Sequence, residues 1–279
     1  MITIGIPTLN GPDRLRRCLE SIHEAGHLRD ARVLVCCDGS TPEDREQNKA
    51  VVHRMSSKIP VELLMNEGRL GIATSWNRLA RHYGDADVIA LLNDDIEVVP
   101  WWLDVLAYSL RENPALGMVG LNSYVGLTKN QHAALYPGVP EHVRVPRIDF
   151  NVAHLLGAGE ILSTTGSAFG FRRSAFDEVG GFNENYFCFF EEVHFGAMLR
   201  RQSFLNVMAS YPVLYHMGGA TNSDVKNLDA QAHMARSKAI FEAFWGKSLS
   251  EVRREYAVRN QPPDDLRLRE WNSTIGNWG

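Results

Sequence analysis

Cysteine is scarce: the 279 residues hold four, Cys18, Cys36, Cys37 and Cys188. So few, at such irregular spacing, exclude a disulfide scaffold and a structural zinc cage. The adjacent pair Cys36–Cys37 lies in an apolar run and reads as buried packing. Long hydrophobic runs are also missing. Val88–Leu92 is typical of those present, far below the roughly 18 apolar residues a membrane helix needs. No excess of positive charge exists either, the formal net charge being −4, so nucleic acid is not the expected partner. Internal repeats and low-complexity tracts are absent, which excludes solenoids and fibres. Met1 opens straight into a strand-like segment without the charged and apolar regions of a secretory signal. These absences together describe an ordinary globular chain of a reducing compartment, with a cytoplasmic location expected.

What is present is a regular alternation. Short apolar runs at Ile2–Ile6, Arg32–Cys37, Val61–Met65, Val88–Leu92 and Met118–Leu121 read as strands. Between them, segments near Asp13–Ala25, Pro42–Ser56, Ile72–His82 and Trp101–Asn113 read as helices. In the first helix Leu15, Cys18, Leu19 and Ile22 recur at the i, i+3, i+4, i+7 spacing of a buried stripe. Pro12 and Pro100 stand where first-turn prolines are tolerated. Continuous apolar strands alternating with helices predict an α/β fold with a mostly parallel sheet covered on both faces.

After Asn122 the periodicity weakens, and residues 122–162 read as a long irregular insert. Order returns with a strand-like Ser163–Phe171 and a short helix Ser174–Val179 closed by Gly180–Gly181. A helix follows at Glu191–Gln202, then strand character at Val207–Tyr215, then a helix at Asp224–Trp245 ended by Gly246. Ser248 and Glu251 form a capping-box pair for a last helix. The expected organisation is one domain over 1–246, its first half 1–121 and second half 122–246, followed by a helix and polar tail at 247–279. The tail's Trp271, Ile275 and Trp278 are expected to pack on the domain or on a second copy of the chain.

In open α/β sheets ligands bind beyond the carboxyl ends of the strands. Here those ends carry Pro7–Thr8–Leu9–Asn10, Asp38–Gly39–Ser40, Asn66–Glu67–Gly68–Arg69–Leu70–Gly71 and Asn93–Asp94–Asp95. Four polar strand ends on one edge predict a binding crevice. The adjacent acids Asp94 and Asp95 repel unless protons or a cation intervene, and Mg²⁺ or Mn²⁺ with oxygen ligands resolves that repulsion. The bland alternative has them favour the dipole of the following helix. Asp85–Ala86–Asp87 precedes its strand and falls at the opposite edge.

The segments Ile2–Asn10, Cys37–Ser40 and Leu91–Val98, with the later block Thr164–Phe195 and Tyr215–Gly219, resemble inverting family-2 glycosyltransferases of the GT-A fold, in order over residues 1 to about 220. The resemblance implies a GT-A (Rossmann-like) single domain with a C-terminal helical extension, and a metal-dependent enzyme that moves a sugar from a nucleoside-diphosphate sugar to an acceptor hydroxyl. It places Pro7, Thr8, Asn10, Asp38, Asn66, Arg69 and Asp94 on the donor. It makes Asp95 the metal ligand, joined by His216, with Mn²⁺ or Mg²⁺ as the ion. Glu191–Glu192 matches the family's acidic pair, which assigns Glu192 as general base with Glu191 beside it. UDP is the favoured donor nucleotide, with GDP or dTDP as alternatives, and the acceptor is a glycan or other hydroxyl compound. Cys37, Asn93, Glu192 and His194 depart from the usual pattern, His194 replacing its last acid.

Each assignment has a structural alternative: a solvated helix start for Glu191–Glu192, a satisfied core histidine for His216, plain core for Tyr186–Phe190. A sugar nucleotidyltransferase would share fold and metal, but the chain lacks that class's glycine-rich basic loop after the first strand. A non-catalytic sugar-binding relative is the other rival. His132, His142 and His154 receive no role.

Overall fold

The computed structural model describes residues 1–125, 155–157, 160–164, 166–217 and 230–259. The predicted insert histidines, Gly218–Gly219, residues 224–229 of the long helix and the tail aromatics lie outside those residues.

The first half is the predicted alternation: β1 (Ile2–Thr8), α1 (Pro12–Ala25), β2 (Ala31–Cys37), α2 (Pro42–Met55), β3 (Val61–Met65), α3 (Ile72–His82) and β4 (Val88–Leu92). A two-residue β5 (Ile96–Glu97), α4 (Trp102–Glu112) and β6 (Leu116–Val125) follow. Then come β7 (Leu155–Gly157), β8 (Glu160–Ile161), β9 (Ala168–Arg172), α5 (Arg173–Val179), α6 (Glu191–Arg201), β10 (Leu205–His216), α7 (Ala230–Trp245) and α8 (Leu249–Arg259). The sheet runs β3-β2-β1-β4-β9-β6-β10-β8-β7, with β5 paired to the end of β10.

Strands β1 to β4 are mutually parallel, as are β6 and β10. Between them stands β9, which runs antiparallel to both β4 and β6. Apolar runs buried on both faces carry no mark of direction, so periodicity had nothing to report there. The strand expected from Ser163 begins five residues later, at Ala168. Because Ala168 stands opposite Leu92, the turn before β9 lies against the carboxyl end of β4. The Asn93 N–H donates to Ser167 O at 2.8 Å and closes that junction.

The strand faces alternate as period two demands. Ile4, Ile6, Val33, Val35 and Ala90 pack with α1, α2 and α4 through Leu15, Leu19, Val52, Trp102 and Leu106. On the other face Leu34, Ile89 and Leu91 meet Trp76, Leu79, Phe176 and Phe195. A third cluster joins Tyr186, Val193, Ala197, Phe241, Val252 and Tyr256, seating α7 and α8 on α6. The capping box is realised: Ser248 N–H donates to Glu251 Oε2 at 2.8 Å, and Glu251 N–H to Ser248 Oγ at 3.3 Å.

Pro100 does not open its helix. Trp101, left-handed at φ 69°, is the N-cap and α4 starts at Trp102. Asp94 and Asp95 are separated from that helix by β5, so they do not serve its dipole. At the opposite edge Asp87 is paired with Arg111 (Nε to Oδ2, 2.7 Å), away from the crevice as expected.

Candidate active site

The strand ends form one bonded rim. At β1, Thr8 O accepts the Asp38 N–H at 2.9 Å, and Pro7, the next residue in, is paired only with Cys36 of β2. Asn10, left-handed at φ 50°, donates its N–H to Ser40 Oγ (3.0 Å) and accepts the Thr41 N–H on Oδ1 (2.8 Å). A short polar side chain that tolerates this backbone region is what the turn needs.

Asp38 is a bracket for the 66–71 loop. Its Oδ1 accepts from Asn66 Nδ2 (2.7 Å) and the Leu70 N–H (2.8 Å), and its Oδ2 from the Gly71 N–H (2.9 Å). Asn66, fully buried, is held in turn by Arg78 at Oδ1 and by Arg45 at its carbonyl. Gly39, at φ 74°, lets this loop close: a Cβ there would sit 2.5 Å from Arg69 N. Arg69 lies over the Phe187 ring with 5.0 Å to its centroid, and Ile72 N–H bonds Phe187 O at 3.0 Å. The loop of β3 therefore touches the segment that leads into α6.

At β4 the two acids differ. Asp94 Oδ2 accepts from the Thr8 hydroxyl (2.7 Å) and Oδ1 from Arg14 Nε (3.4 Å). Burial pushes its carboxyl up to about 6, against the pull of Arg14 and Thr8. Asp95 is equally buried, yet its Oδ1 has no hydrogen-bond partner among the described residues. His216 Nε2 stands 3.5 Å from that oxygen, and His216 Nδ1 is also unpartnered. The β5–β10 pairing, which sets Ile96 opposite His216, fixes the two side by side.

No cluster of three or more His, Cys, Asp or Glu side chains suited to a metal is present among the described residues. Asp95 and His216 fit a divalent cation as two protein ligands, because a buried carboxyl oxygen without a hydrogen-bond partner among the described residues faces an imidazole nitrogen across 3.5 Å. Mg²⁺ and Mn²⁺ are ordinarily completed by water and phosphate oxygens.

Across the rim, α6 starts with Glu191 and Glu192. Phe189 and Phe190 before them are both left-handed, at φ 67° and 69°. Consecutive bulky residues in that region cost of order 1–3 kcal/mol each and cluster at functional sites. Glu192 lies beside Gly166, where a Cβ would stand 3.6 Å from its Cδ, and its Oε2 has no hydrogen-bond partner among the described residues, as is true of Glu191. Burial pushes the Glu192 carboxyl up to about 7 and Glu191 well above its ordinary value, with Glu192 adding repulsion. Gly166 also borders Trp76, where a Cβ would lie 3.0 Å from the indole. Through the Gly166–Ser167 turn, Glu192 is linked to Asn93 and so to the acids of β4.

His194 does not join the acids. It is buried, with Nδ1 3.2 Å from the Tyr186 hydroxyl, among Phe241, Phe244 and Trp245. That enclosure lowers it to about 4 and keeps it neutral. Arg14 is the site residue that sequence reasoning missed. Its signal was a charge immediately beside the apolar stripe of α1.

The chain matches Glycosyl transferase family 2 over residues 3–180. It is similar to an N-acetylglucosaminyl-diphospho-decaprenol L-rhamnosyltransferase of Mycobacterium tuberculosis, 30% identical over 262 residues that cover 84% of this chain and 80% of the relative. An uncharacterized protein of Sinorhizobium fredii is 24% identical over 88% of this chain, which spans only 27% of that longer protein. Among solved structures, the fold is similar to a Pyrobaculum calidifontis mannosyltransferase in complex with GDP-Man and Mn²⁺ (TM-score 0.64, 16% identity, 100% of this chain and 75% of that one). It is also similar to GalNAc-T7 with UDP, GalNAc and Mn²⁺ (TM-score 0.66, 12% identity, 99% and 54%). Among the described residues no helix is long and apolar enough to cross a membrane. With the GT-A architecture, the polar strand-end rim and the family match in agreement, the chain belongs to glycosyl transferase family 2 and is a glycosyltransferase.

Proposed function

We propose that this enzyme moves a sugar from a nucleoside-diphosphate sugar to an acceptor hydroxyl, with a divalent cation, with inversion, and with Glu192 as general base. The observation that carries the reading is the pairing of an open Asp95–His216 couple with two carboxyl groups on α6 whose Oε2 atoms have no partner among the described residues, the two sides meeting through Gly166, Ser167 and Asn93.

The rim of Pro7, Thr8, Asn10 and Asp38 shapes the place of the base and ribose, with Asn66 and Arg69 as further contacts and Asp94 at the ribose side. Asp95 and His216 would hold Mn²⁺ or Mg²⁺, which supplies charge neutralisation for a departing diphosphate. Glu192 accepts the proton of the acceptor hydroxyl, a contribution typically worth about 10²–10⁴-fold. Its raised carboxyl suits the task, since a base is most effective when its pKa lies near the working pH. Glu191, more deeply buried, is itself held protonated by burial and by the neighbouring Glu192. The reading of the donor as UDP-linked, with GDP or dTDP as alternatives, is supported by similar folds that hold UDP-GlcNAc (TarS of S. aureus) and GDP-Man. The rhamnosyltransferase relative supports a glycan acceptor.

The test is turnover of nucleotide-sugars with Mn²⁺ or after chelation, followed by NMR of the product's anomeric coupling. An α-linked donor giving a β-linked product is the expected result. Retained configuration would remove Glu192 as the base of a single displacement.

A further inference from the structure

Asp94 and Asp95 are adjacent, both buried, and yet unequal in their partners. The difference is made by Arg14. Its Nε lies 3.4 Å from Asp94 Oδ1 and its Nη2 donates to Leu9 O at 3.1 Å. Both side chains are withdrawn from water, at 10% and 3% exposure, so the pair is no screened surface contact. With Thr8 on the other oxygen, Asp94 is held on both sides.

Helix stability does not explain this arginine. It stands in the first turn of α1, where the dipole disfavours a cation. Gly11 makes the approach possible, since a Cβ there would sit 2.4 Å from Arg14 Nη2 and 2.7 Å from Asp94 Oδ2. Helix position, neighbouring glycine and carboxylate geometry all lead to the same contact.

We propose that Arg14 is a positioning residue that divides the labour of the two acids, fastening Asp94 to the protein as part of the donor rim and leaving Asp95 to the cation. The proposal rests on the reading of Asp95 and His216 as cation ligands. Arg14 offsets one of the two adjacent negative charges, so an incoming divalent ion meets one free carboxylate and an imidazole. Without that offset the strand end would be a stronger trap for free metal and a poorer mould for the donor.

The experiment is an electron paramagnetic resonance titration of Mn²⁺ alone into the full chain, beside donor KM and kcat. In Arg14→Met, loss of a nearby positive charge should tighten Mn²⁺ binding, by about tenfold for a charge acting through partly screened protein. The double variant Arg14→Met/Asp94→Asn should return within about twofold of the unaltered protein, because the charge it uncovers is gone. A role limited to stability would lower Tm without tightening Mn²⁺. Unchanged or weaker Mn²⁺ binding in folded Arg14→Met overturns the proposal, as does a double variant that stays tight. If Arg14→Met does not fold, Arg14→Lys keeps the charge and loses the fork. Mn²⁺ affinity should then hold while donor KM rises several-fold at nearly constant kcat, and an unchanged KM overturns the proposal. An unaltered protein that binds no Mn²⁺ defeats the cation reading itself, an outcome distinct from any variant's result.

Discussion

Asp95 Oδ1 and His216 Nε2 face each other at 3.5 Å, each from the end of a different strand and neither with a hydrogen bond between them. An imidazole and a carboxyl group that close would ordinarily share a proton or a water, and the backbone fixes both. The Met217 N–H donates to Asp95 O at 3.2 Å, so the two strands are stapled just beyond the pair. Their separation suits a shared ion better than a direct bond.

Asp95→Ala is therefore expected to abolish Mn²⁺-dependent nucleotide binding in calorimetry. His216→Ala should weaken it less, because the nucleotide's phosphate oxygens and water can take the vacated position. Unchanged affinity in Asp95→Ala would sink the cation assignment.

Glu192 makes a pH prediction of definite sign. Its folded carboxyl is raised from the ordinary 4.5 to about 7. The unfolded chain ionises first as pH rises, so this group's stability is fully present below about pH 4.5 and lost by the time pH passes 7. Glu192→Gln should thus raise Tm at pH 8 and change it little at pH 4. At the same time kcat should fall by about 10²-fold or more with donor affinity nearly kept. Glu191→Gln is the control, and a larger loss of kcat there would move the base by one residue. Equal Tm shifts at both pH values would contradict the burial of an ionisable carboxyl at this position.

Parts of the chain were legible where the rules are local. The Leu15, Cys18, Leu19, Ile22 stripe, the strand-end polarity and the capping box of Ser248 and Glu251 each need only neighbours in sequence. The direction of β9 was not legible, since a strand buried on both faces reads the same either way. Nor was the two-residue β5, which is too short to carry a period and exists only because β10 arrives to pair with it. Arg14 and His194 show the same limit for side chains. Their roles depend on a partner 80 residues away in one case and on helix α7 in the other. Arginine beside an apolar stripe was a visible anomaly, whereas a histidine after two glutamates looked like a lost acid.

That histidine carries the third prediction. In the enclosure that Phe241, Phe244 and Trp245 form around His194, an acid would have the Tyr186 hydroxyl for company. Restoring the family's acid with His194→Asp should lower Tm at pH 8 by roughly 5–10 °C, the scale of a few kcal/mol in a chain of this size. The loss should shrink toward pH 4, where the new carboxyl protonates. His194 itself acts with the opposite sign to Glu192. Its folded value lies near 4, below the ordinary 6.5, so its contribution is present above 6.5 and lost as pH falls toward 4. A His194→Asp protein as stable as the unaltered one at pH 8 would mean that the enclosure is open to water.

The last prediction separates α8 from the residues after it. Val252 and Tyr256 of α8 are buried against Phe241, Tyr186 and Val193, and Val193 sits on α6 directly after Glu192. Removing α8 strips apolar cover from the helix that carries the acidic pair. At about 25 cal/mol per Å², two large buried side chains represent several kcal/mol, a sizeable share of a typical domain's net 5–15 kcal/mol. Truncation after Gly246 should therefore lower Tm and reduce kcat together, because the start of α6 is held in a strained left-handed entry at Phe189 and Phe190 that needs its packing. Truncation after Arg259 keeps every one of those contacts and should leave donor hydrolysis intact, with any effect falling on solubility or oligomeric state. Light scattering, thermal melts and donor turnover on the two truncations decide it. Complete loss of hydrolysis in a still-folded chain ending at Arg259 would place a catalytic contribution beyond α8 and overturn this division.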